Sequence, residues 1–270
     1  MDVASHYQHQ LDPDRLLAAV DRQLGSALRP EQLAPVDQLH LGGRRASLAL
    51  LEGLSLQLDL PVLDLGSGLG GTARLLAQQC SCPVVGIDLT AQFCQLAARL
   101  GERLANLLPV NFVQGDALNL PFVNASFGLA VSQHCLMNLP DLPRALAELR
   151  RVLHPQGAIV LHELLAGPGG EPYFPTPWAS RADQSHLLDE QQFRGLISDA
   201  GLEVKVWRDL SADALAWRSR HARREADGVS GLSPQLVYGD RFTTLATNLQ
   251  RSLRDSRVRV IHAELAPVRD

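Results

Sequence analysis

Apolar residues recur along this chain with two different periods, and the change of period divides it. Over residues 11–28, Leu16, Leu17, Val20 and Leu24 stand at the spacing of one helix face, and Gly25 and Pro30 stop the run. A turn-rich link from Pro35 to Gly43 follows, then a second helical stretch from Arg44 to about Leu54. From Pro61 onward short apolar runs alternate with helical ones. Residues 61–65, 83–87, 110–114, 127–131 and 158–164 read as strands, and residues 72–79, 91–104 and 143–153 as helices between them. Pro155-Gln156-Gly157 reads as the stop of the last of these helices. Such alternation predicts an α/β fold of parallel βαβ units in a doubly wound sheet.

After the fifth strand the pattern loosens. Residues 166–177 are rich in Gly and Pro and predict a loop over the carboxyl edge of the sheet. Residues 189–200 predict a helix, 202–207 a sixth strand, 211–225 and 233–253 two helices separated by Gly228, Gly231 and Pro234, and 257–265 a seventh strand. The expected organisation is an N-terminal helical cap (1–58), a core (59–210), a helical insertion between the last two strands (211–255) and a terminal strand that returns to the core (256–270).

Composition narrows the function classes. A chain of 270 residues with 46% apolar and 20% charged residues can bury a core without metals or disulfides. A net charge of −4 gives no footprint for nucleic acid. Arg218, Arg220, Arg223 and Arg224 read as a solvated helix face rather than an anion site. Cys80, Cys82, Cys94 and Cys135 form no spaced framework and read as free thiols; no metal site is expected. No apolar run approaches the ~20 residues that cross a bilayer. The start, Met-Asp-Val, lacks a leader pattern, so the cytoplasm is the expected location.

The chemistry concentrates at the strand ends. Asp64-Leu65-Gly66-Ser67-Gly68-Leu69-Gly70-Gly71 reads as a strand-to-helix turn that lets a ligand approach the backbone, with helix N–H groups presented to an anion. Gly66, Gly68 and Gly71 also satisfy a dinucleotide pattern, so a nicotinamide-dependent oxidoreductase is the competing reading. Three acids separate the two. Asp64 would oppose a pyrophosphate but suits an ammonium. Asp88 stands 22 positions after Gly66, where an acid holds a ribose diol. Asp116, in Gly115-Asp116-Ala117, can accept from an adenine amino group. Ammonium, ribose and adenine in that order describe S-adenosylmethionine.

The stretch Val62-Leu63-Asp64-Leu65-Gly66-Ser67-Gly68-Leu69-Gly70 resembles the first motif of class I S-adenosylmethionine-dependent methyltransferases. Residues 115–122 resemble their adenine-side motif, and Arg151-Val152-Leu153-His154-Pro155-Gln156-Gly157 is similar to their turn before the fifth strand, with Gln156 replacing a glycine. Residues 37–43, 132–138 and His162-Glu163 resemble bacterial small-molecule methyltransferases of the sarcosine/dimethylglycine N-methyltransferase and tocopherol methyltransferase type. The resemblance implies a Rossmann-like seven-stranded sheet with N-terminal helices, and S-adenosyl-L-methionine as cofactor. It implies N-, O-, C- or S-methylation without choosing among them.

The cofactor is expected on Asp64, Gly66, Ser67, Gly68, Gly70, Asp88, Leu89, Asp116, Ala117 and Gln133. The catalytic candidates are His134, His162 and Glu163; the last two alternate along one strand and face opposite sides of the sheet. The acceptor is expected on His40, Met137, Asn138, Tyr173, Trp178, Trp217 and Tyr238. The residues from Pro35 to Gly43 are a candidate lid. The rings favour an amine nitrogen as acceptor, through cation–π attraction; a phenol, quinone or other metabolite methylated on oxygen or carbon is the alternative. A homodimer is the one protein partner entertained; no nucleic acid or membrane is expected.

Overall fold

The computed structural model describes residues 11–52, 60–80, 82–227 and 231–268. The start of the expected cap, the end of the helix predicted to reach Leu54, and Gly228 lie outside them.

Seven strands form one sheet in the order β3-β2-β1-β4-β5-β7-β6: β1 (Val62–Leu65), β2 (Val84–Asp88), β3 (Val110–Gln114), β4 (Phe127–Gln133), β5 (Leu153–Ala166), β6 (Leu202–Asp209) and β7 (Val258–Pro267). The first five run parallel, and β7 lies antiparallel between β5 and β6. Every residue of β1 and β4 is buried, as strands covered on both faces must be. The chain order reverses between β1 and β4, and ligands of open α/β sheets bind beyond the strand ends at that point.

The helices are α1 (Pro13–Leu24), α2 (Ala34–Asp37), α3 (Gly43–Leu51), α4 (Gly71–Cys80), α5 (Ala91–Gly101), α6 (Leu142–Val152), α7 (Glu190–Asp199), α8 (Ser211–Ala226), α9 (Gln235–Tyr238) and α10 (Phe242–Arg254). On one face of the sheet, Leu142, Ala145, Leu146 and Leu149 of α6 and Phe193 and Ile197 of α7 pack on β1, β4, β5 and β7. On the other, Ala73, Leu76 and Ala77 of α4 cover Val62, Val84, Leu129 and Val131. Leu16, Leu17 and Val20 of α1 join Phe93, Leu96 and Leu100 of α5. Ala214 of α8 and Leu249 and Leu253 of α10 join Val258 and Val260 of β7.

Two predicted elements differ. The expected helix 233–253 is broken into α9, a 3-10 turn (Gly239–Arg241) and α10. Gly239 has φ 58° and ψ −147°, a conformation open to glycine and costly for other residues. The fifth strand begins at Leu153, before the turn expected to precede it. Its pairing with β4 shifts register between Phe127↔Leu153 and Leu129↔Ala158, and so absorbs Pro155 and Gly157 as an irregularity within the strand.

Candidate active site

The strand ends, the N-terminal segment and the helices between β6 and β7 enclose a cavity of about 410 Å³. That is room for a ligand of cofactor size. Its floor is the turn after β1. Gly68 has φ 51°, and a Cβ there would meet nothing within 4 Å, so the backbone lies open to the cavity. A Cβ on Gly70 would stand 2.3 Å from the Phe112 ring, and Gly70 does not line the cavity. Its smallness serves packing beneath the turn.

Three carboxylates ring that floor. Asp64 is 2% exposed, and its Oδ2 is buried without a partner. Burial pushes its pKa up to about 7, against the Ala73 backbone N–H and with added repulsion from Asp88. Asp88 Oδ2 accepts from Gly68 N (2.9 Å) and Oδ1 from Thr90 N (2.8 Å). These bonds fix the carboxylate and leave each oxygen further lone pairs for ligand hydroxyls. Burial raises its pKa, and the Thr90 and Gly68 N–H groups oppose the rise. Asp116 Oδ1 accepts from Leu118 N at 2.9 Å, which holds the adenine-side turn. Leu89, Ala117, Ser67 and Gln133 complete this half of the lining.

Above the turn three imidazoles meet. His134 has φ 52°, its N–H donates to the His162 carbonyl (2.9 Å), and its ring stacks on His162 with centroids 5.0 Å apart. The His40 ring stands edge-on to both, at 5.9 and 5.6 Å. His134 Nε2 is buried with no partner. Burial and the neighbouring rings hold His134 and His162 well below the usual imidazole range, and burial lowers His40 to about 4. All three are neutral at pH 7. Among the described residues no His, Cys, Asp or Glu group is arranged to hold a metal ion.

A polar network ties the halves together. The Ser47 hydroxyl lies 3.0 Å from Gln133 Oε1, 2.8 Å from Gln38 Oε1 and 3.0 Å from His40 Nε2. Thr72 Oγ1 donates to Gln133 Oε1 at 2.8 Å. Gln133 thus joins α3, α4 and the end of β4 at one amide.

A methyltransferase domain model matches residues 63–161. An O-methyltransferase of Pyrenophora dematioidea is 26% identical over 77% of this chain and 78% of its own length. A dimethylglycine N-methyltransferase of Parasynechococcus marenigrum is 28% identical over 54% of this chain and 52% of its own length. The fold recurs in geranyl diphosphate C-methyltransferase from Streptomyces coelicolor, solved with S-adenosyl-L-homocysteine, at TM-score 0.70 and 19% identity over 98% of this chain and 96% of that one. Residues 63–161 thus match a methyltransferase domain model, and the fold is shared with methyltransferases solved with S-adenosylmethionine or S-adenosylhomocysteine.

The site fits that cofactor. The unpartnered Asp64 Oδ2 and Ser67 Oγ would take its amino-acid end, Asp88 its ribose and Asp116 its adenine side.

The cavity gathers His40, Met137, Asn138, Trp178, Trp217 and Tyr238 as expected. Three of the expected catalytic and acceptor residues do not line it. The Tyr173 ring is sandwiched by the Arg251 and Arg257 guanidiniums, each 4.1 Å from its centroid, and its hydroxyl donates to Asp255. It buttresses the insertion from outside the cavity. Glu163 faces away from His162 and caps the loop after β4. It accepts from the Ser132 hydroxyl (2.6 Å) and from the N–H groups of Cys135 (3.1 Å) and Leu136 (3.2 Å). Burial pushes its pKa up to about 7 against those donors. His162 backs the His134 ring without lining the cavity.

The sequence reading missed a buried ion pair. Arg74 Nη2 donates to Asp37 Oδ2 at 2.8 Å and also to the Leu69 carbonyl, while Nη1 donates to the Ala97 carbonyl at 3.0 Å. The two side chains are 1% and 2% exposed. The pair pins the N-terminal segment onto α4, where a Cβ on Gly71 would strike the Asp37 carbonyl at 2.3 Å. No local spacing signals a contact between positions 37 apart. The solvated face expected on α8 also fails at one position: Arg218 is 5% exposed and lines the cavity.

Proposed function

We propose that the protein methylates an ionisable hydroxyl oxygen on a largely apolar small molecule, with S-adenosylmethionine as donor. The observation that carries this reading is where the acids stand. Among the described lining residues the carboxylates are Asp37, Asp64, Asp88 and Asp116. Asp37 is paired with Arg74, and the others ring the cofactor turn. The rest of the lining is dominated by Leu41, Met137, Leu164, Trp178, Trp217, Phe242, Leu245 and Leu249, with no acid to hold an ammonium.

When bound, the cofactor supplies a methyl group already activated by its sulfonium. The chain must align a nucleophile and exclude water, and alignment can contribute about 7–11 kcal/mol. A hydroxyl must also lose its proton. His134 is the group for that step: it is neutral, its Nε2 has no protein partner, and the His162 ring behind it fixes its plane. A depressed basicity keeps it ready to accept a proton at pH 7 and makes it a modest base, as suits an acidic hydroxyl such as a phenol or enol. The named activity of the Pyrenophora relative agrees with oxygen as acceptor.

An amine acceptor is the second reading, supported by the Trp178, Trp217 and Tyr238 rings in the lining, whose faces suit a cation, and by the dimethylglycine N-methyltransferase relative. A panel of phenols, enols and amines assayed for S-adenosylhomocysteine release separates them. For a hydroxyl acceptor, His134→Ala lowers kcat by roughly 10²–10⁴-fold while cofactor affinity changes by less than about threefold. Wild-type turnover in that variant, or turnover of amines alone, sinks the oxygen reading.

A further inference from the structure

Helix α8 carries four arginines in seven positions, and only one is turned inward. Arg220, Arg223 and Arg224 are exposed, while Arg218 stands one turn after the buried Ala214 on the face that meets the cavity. It is the only Lys or Arg among the described lining residues. Its neighbours in that wall include Trp217, Phe242, Leu245 and Leu249, all apolar. The guanidinium is partly used. Nη2 donates to Glu225, whose side chain is 36% exposed and so approaches from the solvent side. Nε is buried and has no partner. Buried donors without partners are rare, and a guanidinium presents its five N–H groups as a planar fork suited to two oxygens at once.

We propose that Arg218 is the site for a carboxylate on the acceptor, so that the substrate is an apolar body bearing one carboxylate apart from the atom methylated. The proposal rests on the reading of this half of the cavity as the acceptor chamber. Charge supports a monoanion. One cation partly neutralised by Glu225 matches one carboxylate. A diphosphate would need further cations or a metal, and no metal-ligand group occurs among the described residues. Glu225 holds the guanidinium from outside, so the fork is oriented before the ligand arrives, which reduces what is lost on binding. Arg rather than Lys fits this role because its planar fork recognises a carboxylate bidentately.

The test uses the full chain saturated with S-adenosylhomocysteine and two probes of equal body, 4-phenylbutyrate and 4-phenylbutanol, followed by tryptophan fluorescence. The wild type is expected to bind the carboxylate at least tenfold more tightly than the alcohol. Arg218→Met is expected to bring the two within twofold while S-adenosylhomocysteine affinity by calorimetry is unchanged. Equal binding of the probes by the wild type, no saturable binding of either, or a preference that survives in Arg218→Met overturns the proposal. If Arg218→Met does not fold, Glu225→Gln decides: releasing the guanidinium from its outer partner raises the carboxylate preference at least threefold, and an unchanged or smaller preference counts against the site. Failure of the wild type to bind S-adenosylhomocysteine would instead remove the methyltransferase reading itself, so the two failures are distinguishable.

Discussion

The two halves of the cavity are built by opposite rules. The cofactor half comes from consecutive short stretches: the turn from Asp64 to Thr72 and the ends of β2, β3 and β4 at Asp88, Asp116 and Gln133. Each polar group there stands at a strand end, where chain direction alone aims it. The other half is assembled from residues 37–41, 137–140, 177–178, 217–218 and positions between 234 and 249, brought together only by tertiary packing. Most of its described lining is apolar, with Arg218 as its one Lys or Arg and the unpartnered His134 Nε2 beside it. A fixed ligand needs fixed polar partners; a variable ligand needs a shaped apolar wall and a few anchors. The difference implies that the halves can be damaged separately.

The largest separation is expected at Asp88. Asp88→Ala removes the brace on Gly68 N and, on the proposed ribose role, the acceptor for two ligand hydroxyls. Hydrogen bonds to charged groups contribute about 1.5–3 kcal/mol each, so S-adenosylhomocysteine affinity should fall on the order of 100-fold or more. Calorimetry reads that loss, and unchanged midpoints of thermal unfolding without ligand would show the fold intact. If cofactor affinity survives in Asp88→Ala, the ribose assignment is wrong and the halves are not divided as described.

Acidity offers the next separation. Burial holds the Asp64 pKa near 7 against the Ala73 N–H, and its Oδ2 has no partner, so an arriving ammonium must meet the ionised form. Cofactor affinity should therefore fall as pH drops through 7, approaching tenfold per unit. It should fall again above about 8, where an α-amino group loses its proton. The binding profile peaks between the two, and Asp64→Asn loses its acid limb while keeping the alkaline one. Binding of an apolar acceptor probe such as 4-phenylbutanol should show neither limb. A flat cofactor profile in the wild type would mean that Asp64 meets no ammonium.

This contrast also explains what the sequence made legible. The glycine turn, the three acids and the alternation of strands and helices are local patterns; the structure has the seven strands in the expected α/β alternation and places Asp64, Asp88 and Asp116 together around the turn. His134 was accessible too, because it follows β4 directly. Tyr173 was misplaced because its neighbours, Arg251, Asp255 and Arg257, arrive from α10 and its link to β7 rather than from its own loop. The period of two puts Glu163 on the face opposite His162, but cannot say that the Ser132 hydroxyl of β4 and two N–H groups of the following loop would claim it. The Asp37–Arg74 pair and the inward turn of Arg218 depend on how helices dock, which no spacing encodes. The antiparallel insertion of β7 between β5 and β6 is likewise a property of the assembled sheet.

The smallest expected effect lies at the seam between the halves. Ser47 is 2% exposed and sits within 3.0 Å of Gln133, Gln38 and His40, although its single proton serves one acceptor at a time. Ser47→Ala removes that bridge but leaves Thr72 on Gln133. A typical hydrogen bond contributes about 0.5–1.5 kcal/mol, so affinities should fall by roughly 3- to 10-fold. The informative point is which affinities fall. If Gln133 couples the halves, cofactor and acceptor-probe affinity drop together in Ser47→Ala, and cofactor binding strengthens probe binding less than in the wild type. If only probe affinity drops, Ser47 belongs to the N-terminal cover alone. The two halves would then meet at the cofactor itself, with no polar link in the protein carrying information between them.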